Sequence, residues 1–298
     1  MLHLSRLIGR PVRDSSADAI GVIDDLIAAA QKISAEKGKD GISGAVMRGI
    51  RSDTIMDTLS GVVWNAYGDR EAPTPYGMWF DGSWETPRLT DAGVCQGLAN
   101  YGRLLATGPE NKYAIDWPDA NTLFSQGKAG FFIDASLFGP GYEDPANSQV
   151  AGKVGSAVLP PVTAGGASFT GHWLWGLGIP KTSEKKDAAW YFVQWMTNKA
   201  NTSQIGTKTG GAPRLSAYSD PVYTASLNPA YVATVNEAMK TSRTKRAPSL
   251  ASTRSFGWSK APRCTRENWA LETAITSGSS SAMCTRSIVA CLRNSSAE

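Results

Sequence analysis

An α/β fold is what this sequence predicts, and three observations predict it. Stretches with apolar residues at helical spacing alternate with short apolar runs of strand length, the pattern of strands and helices laid in layers. Residues 171–196, GHWLWGLGIPKTSEKKDAAWYFVQWM, compress that pattern into one unit. Their aromatic-rich run at 172–179 is too short for a helix and reads as a buried strand; Pro180 ends it and a helix follows. Finally, 298 residues with 42% hydrophobic content can build two domains or one large one.

Taken in order, residues 1–15 show no clear period. Ser16 reads as the cap of a helix with Ile20, Ile23, Ile27, Ala30 and Ile33 facing inward, closed by Gly38. A short strand at 40–47 and a helix at 53–67 follow, the helix carrying Ile55, Leu59, Val62 and Val63 and ending at Gly68-Asp69. Beyond a proline-rich loop at 72–75, Asp81-Gly82 is a two-residue hairpin signal flanked by Met78-Trp79-Phe80 and Ser83. Thr90 caps a helix in which Val94, Leu98, Tyr101 and Leu105 recur, closed by Gly108. The helix at 118–126 opens with proline, which suits a position where the missing amide is tolerated. Residues 128–134 and 154–159 read as buried strands. After Pro180, Thr182 or Ser183 offers an oxygen to the first helical amides. Ala188, Phe192, Trp195 and Met196 then form one apolar stripe, with Lys185 and Lys186 outside it. Residues 206–216 read as a loop with paired glycines, and a helix from Asn228 or Pro229 runs through Val232, Val235 and Met239.

The net charge of +4 misleads about partners. From Thr241 onward nine Lys/Arg stand against three Asp/Glu, so the rest of the chain holds 21 basic and 23 acidic residues. That body has no basic face, and nucleic acid is not an expected partner. The same terminal segment gathers Cys264, Cys284, Cys291 and a serine cluster, and past Arg243 it keeps no period. It reads either as a frame-shifted tail or as a divergent, disordered one. Cys95 falls inside a helix, and no Cys/His spacing suggests a metal or other cofactor. No apolar run approaches the roughly 18 residues that span a bilayer. MLHLSRLIGRPV is too broken by Arg and Pro for an export signal, so the chain as written reads as cytoplasmic. With His3 and His172 the only histidines, a Ser-His-Asp set is unsupported.

Four stretches together resemble one family. FSQGKAGFFIDAS is similar to its helix-to-strand step ending at a cleft, and VGSAVLPPVTAGG to the strand and proline pair leading to a hinge. GHWLWGLGIPKTSEKKDAAWYFVQWMTNK resembles the return from one lobe to the other, and TGGAPRLS the loop facing the ligand. The family is the type-1 solute-binding proteins of ABC sugar importers, and the resemblance covers residues 16–243. RGIRSDTIMD and WFDGSW resemble more narrowly the members that bind polyols or monosaccharides. The resemblance implies a periplasmic-binding-protein-like two-lobed α/β fold, no enzymatic activity, a periplasmic location in the intact family and a membrane permease as partner. It assigns residues 1–168 to the second lobe (1–15 unassigned), 169–225 to a returning fragment of the first, 226–243 to a second-lobe helix and 244–298 to an atypical tail. Family members carry an export signal and most of the first lobe ahead of the counterpart of Ser16. The expectation is therefore a chain lacking most of that lobe, with Phe192, Trp195 and Met196 partly exposed and ligand binding weak or lost.

Sugar binding needs flat apolar faces and fixed hydrogen-bonding groups. Trp173 and Trp175, two apart on a strand, share a face that either stacks on sugar or packs in the core; Trp175, deeper, leans toward packing. His172 at the strand mouth is a hydroxyl partner or a structural histidine. Asp134 ends a strand, where α/β folds place ligand groups, and either takes adjacent hydroxyls or caps the next segment. From the resemblance come Gly171, the glycines Gly210 and Gly211 for close backbone approach, and Arg214 for a fork of hydrogen bonds, against a solvated loop arginine. Arg51, Asp53 and Asp57 near a helix start either touch ligand or solvate the first turn; Trp79 and Trp84 read as packing. The rival class is a carbohydrate hydrolase with Asp81 and Asp134 as paired carboxylates.

Overall fold

The computed structural model describes residues 21–68, 79, 87–172 and 175–244. Ser16, Ile20, the Asp81-Gly82 hairpin, Trp84, Trp173 and the segment beyond Thr244 lie outside the described residues.

Helix α1 (Ile23–Lys37) opens where Asp25 reaches back to accept the amides of Gly21 and Val22 at 2.9 and 3.0 Å. It does not stop at Gly38 as expected. A 3-10 turn, Gly38–Asp40, continues it, and Gly41 at φ 73° takes the left-handed conformation that ends it. Strand β1 (Ser43–Val46) leads to α2 (Ile55–Tyr67). Helix α3 (Ala92–Leu105) is capped by Asp91, whose carboxylate accepts the Gly93 amide, and not by Thr90. Helix α4 (Trp117–Ser125) is capped by Asp116, with Asp119 returning to the Asp116 amide at 3.0 Å. Strand β2 (Ala129–Phe132) runs parallel to β1, pairing Ser43 with Ala129 and Val46 with Phe132.

The second half departs further from expectation. Residues 154–159 form no ladder, and strand β3 (Thr170–His172) ends where the buried strand was expected to begin. Trp175 is 86% exposed, so 175–179 is no buried strand. An apolar run becomes a strand only beside a hydrogen-bonding neighbour, and no described strand runs alongside either stretch. Helix α5 (Lys186–Met196) lacks the expected Thr182 or Ser183 cap; Ser183 Oγ accepts the amide of Lys185, one residue before the helix. Helix α6 (Lys199–Thr209) occupies the start of the expected loop, with Asn198 accepting the Asn201 amide at 2.8 Å. A short helix α7 (Pro221–Thr224) precedes α8 (Pro229–Thr241), capped by Asn228. Strand β4 (Ser242–Thr244), which no pattern announced, pairs parallel with β3.

Three apolar clusters hold these elements. The largest joins α1, α2 and α3 through Ile27, Val62, Val63, Val94, Leu98 and Leu104, with Trp79 packed against it as expected. Each such fully buried aliphatic side chain contributes about 1.5–3 kcal/mol. Here α3 lies so close to α2 that a Cβ on Gly97 would stand 2.5 Å from the Val63 Cα. A second cluster gathers Tyr218, Tyr223, Tyr231 and Val235 around the start of the 210–214 loop; Tyr223 donates to the Gly210 carbonyl at 2.6 Å and accepts the Ala212 amide. Val46, Ile115, Ala120 and Ala129 form the third, between α4 and the β1–β2 pair. Helix α5 buries none of its residues, and Phe192 and Trp195 are 52% and 55% exposed, as the sequence led us to expect. No described helix is long and apolar enough to cross a membrane.

Candidate functional site

The register of β1 and β2 builds the centre of the site. Val46 faces Phe132, so two residues further on Arg48 and Asp134 meet at the carboxyl ends of the two parallel strands. Arg48 Nε donates to Asp134 Oδ2 at 2.7 Å and Nη2 to Oδ1 at 2.8 Å, a bidentate fork. Its Nη1 donates to the Thr54 carbonyl and to Asp57 Oδ2, both at 2.9 Å, which ties the start of α2 to the strand ends. Side-chain exposure is 3% for Arg48, 1% for Asp134 and 27% for Asp57. Burial works against the Arg48 charge, yet the hydrogen bonds and charges of Asp134 and Asp57 outweigh it and hold the guanidinium above its ordinary value. Beneath it the Tyr101 hydroxyl donates to the Arg48 carbonyl, and burial, aided by the Asp134 charge, pushes that phenol up, so it stays a neutral donor. One cation and two carboxylates leave the cluster net negative, a setting that suits neutral hydroxyl donors better than anions.

A groove of about 1310 Å³ opens beside this cluster, walled by α1, α2, β2, β3, residues 154–160 and α8. It brings together Asp57, Asp134, Gly171, His172, Trp175 and Gly211. Asp134 is less available than expected: both oxygens serve Arg48, and Oδ1 also accepts the Ala135 amide at 2.7 Å. The 3-10 turn that follows, Ser136–Glu143, starts at Ala135 without a side-chain cap. His172 Nδ1 lies 3.3 Å from Ser242 Oγ, a contact between β3 and β4. Gly171 passes α2 closely, since a Cβ there would stand 3.2 Å from the Gly61 Cα.

Other expected residues lie elsewhere. Arg214 donates through Nε and Nη2 to the Thr197 carbonyl at 2.9 and 2.7 Å, fastening the end of α5 away from the groove. Arg51 and Asp53 are exposed and do not line the groove. Gly210, at φ 96°, serves chain packing: a Cβ there would stand 2.1 Å from the Leu137 carbonyl oxygen. Arg48 itself was missed, because its signal is a cross-strand register and not a local motif. Thr58 was missed too; it lines the groove, and its buried hydroxyl has no hydrogen-bond partner among the described residues. No cluster of three or more metal-ligating side chains occurs among the described residues.

An α/β scaffold that gathers a polar cluster and a groove at the carboxyl ends of parallel strands is a setting in which small ligands bind. The chain belongs to the bacterial extracellular solute-binding proteins, whose family model matches residues 17–203. It is 33% identical over 169 residues to the mannitol-binding protein of Pseudomonas aeruginosa, covering 54% of this chain and 36% of that protein. In fold it is similar to an ABC transporter solute-binding protein from Agrobacterium radiobacter K84 in complex with ribitol, with TM-score 0.68 and 20% identity over 98% of this chain and 66% of that one. It is also similar to one from Agrobacterium vitis S4 with bound D-mannitol, with TM-score 0.63 and 23% identity over 92% of this chain and 65% of that one. The fold is that of the two-lobed solute-binding proteins, as expected. The chain spans about a third of the length of the mannitol-binding protein and about two thirds of these solved neighbours.

Proposed function

We propose that this chain is the carbohydrate-binding component of an ABC import system and takes a neutral sugar or polyol in the groove beside Arg48, Asp57 and Asp134. The observation that carries this reading is the convergence of Asp57, Gly171, His172, Trp175 and Gly211, from separate stretches, on a groove whose charged centre is net negative. The mannitol named for one relative and the ribitol and D-mannitol held by two structural neighbours support the same ligand class. The described residues up to 168 and those at 226–243 then belong to one lobe, and 169–225 to the other. A membrane permease receives the ligand, and the protein works outside the cytoplasm. The hydrolase alternative has less support, since both Asp134 oxygens already accept hydrogen bonds from Arg48 and Ala135.

Affinity in this chain is low, because Trp175 stands 86% exposed and Asp134 is committed to Arg48. A millimolar dissociation constant, about −4 kcal/mol, is the expected result of calorimetric or NMR titration with D-mannitol, ribitol and maltose. Micromolar or tighter binding would refute the low affinity, and no saturable binding to any of the three would refute the function. Release of reducing sugar from maltose would favour the hydrolase instead.

A further inference from the structure

We propose that Arg48 is a positioning residue for ligand: it sets the Asp57 carboxylate at the groove wall, where Asp57 accepts the hydroxyls of a sugar or polyol, without touching ligand itself. This rests on the binding function proposed above and adds the part played by a residue that lies under the groove.

The geometry separates three roles within one cluster. Asp134, 1% exposed and gripped on both oxygens, is the counter-ion that lets a guanidinium sit in the interior. Arg48, 3% exposed, is the fixed element: two donors on Asp134, and Nη1 shared between the Thr54 carbonyl and Asp57. Asp57, 27% exposed and on the groove wall, is the member that reaches the open space. A carboxylate offers about four lone-pair sites, and Asp57 gives one of them, on Oδ2, to Arg48. The planar fork fixes the direction of Nη1 once Asp134 is bound, and so fixes where the Asp57 oxygen must lie.

D-mannitol titrations of the full chain, Arg48→Lys, Asp57→Asn and the double variant test this. Lysine keeps the charge that Asp134 needs but lacks the fork, so Arg48→Lys should melt cooperatively yet bind mannitol about tenfold more weakly. In the Asp57→Asn background the same change should cost less than about twofold, because Arg48 acts through Asp57. Asp57→Glu, which keeps the carboxylate but moves it by one methylene, should bind as weakly as Arg48→Lys and provides the readout should the lysine variant not fold. Equal costs of Arg48→Lys in both backgrounds, or unchanged binding by Asp57→Glu, would overturn the positioning role while leaving the proposed function standing. Absence of mannitol binding in the unsubstituted chain would remove the function and this role together.

Discussion

Replacing Gly97 by alanine probes the close packing of α2 against α3. An ideal Cβ at Gly97 would lie 2.5 Å from the Val63 Cα and 3.0 and 3.1 Å from its Cγ2 and Cβ. Carbon atoms rest at about 3.5–4.0 Å, so α2 and α3 must part by about 1 Å. No side-chain rotation relieves this, since the obstacle is backbone and Val62, Val63, Val94 and Leu104 are all at most 1% exposed. Overpacking of this kind costs about 1–3 kcal/mol, and alanine returns about 0.5–1 kcal/mol of helix preference. The net loss of about 1–2 kcal/mol corresponds to a melting temperature lower by about 2–8 °C for a chain of this size. Gly38→Ala is the internal control: its φ is −57° and no heavy atom lies within 4 Å of the added carbon. That variant should gain about 0.4–1 kcal/mol. Thermal melts followed by circular dichroism read both. If Gly97→Ala melts at or above the unsubstituted protein while Gly38→Ala behaves as stated, the α2–α3 contact described here is wrong.

Removing the guanidinium in Arg48→Met leaves Asp134 buried without its partner and should cost about 3–5 kcal/mol in denaturant unfolding. Arg48→Met with Asp134→Leu should recover most of that loss, and failure to recover would mean the pair supports more than its own charges. Burial, first of all, raises the phenol pKa of Tyr101, Tyr142, Tyr218 and Tyr231. Their contribution is complete below the unfolded tyrosine value of about 10 and is lost as pH rises above it, because the unfolded phenols ionise first. Tyrosinate absorbance from these four should therefore appear only together with loss of helical signal; ionisation in a still-folded chain would contradict their burial. Trp190, Tyr191, Phe192 and Trp195 are each more than half exposed, so the chain should self-associate as its concentration rises, measured by light scattering. Trp195→Lys should suppress this at little cost in stability, since nothing on α5 is buried.

Helices were the legible part of this fold. Ile23, Ile27 and Ala30 on α1, and Val94, Leu98, Tyr101 and Leu105 on α3, are buried as their spacing predicts. Where a boundary shifted, two capable residues stood side by side: Thr90 precedes Asp91, and the backbone leaves the helix at Asp91, with φ −61° and ψ 135°. Helix α6 escaped because its buried residues are Thr202, Ser203 and Gly206, which form no apolar stripe. Strands were harder for a different reason. Residues 154–159 and 175–179 carry strand composition, but a ladder depends on what lies alongside, and composition does not report a neighbour. Strand β4, sequence SRT, has no apolar alternation at all and exists through its pairing with β3.

The site shows the same division more sharply. Asp134 and Asp57 are both visible in the sequence as carboxylates near element ends, each open to a ligand role or a local one. The structure separates them by accessibility: Asp134 is 1% exposed and Asp57 27%. What decides between them is Arg48, 86 residues from Asp134 in sequence and adjacent to it in space. Parallel strands require a long crossover, so residues that meet at their carboxyl ends are always far apart in the chain, and no local window joins them. Once the Val46–Phe132 register is known, the ion pair follows, and with it the net negative charge of the cluster. Two carboxylates and one guanidinium leave the cluster itself net negative and able to accept hydroxyl hydrogens, while Lys32, Lys37 and Lys153 line other parts of the groove. The neutral ligand proposed for this groove thus draws on the register of two four-residue strands, a feature that becomes readable only when the chain is folded.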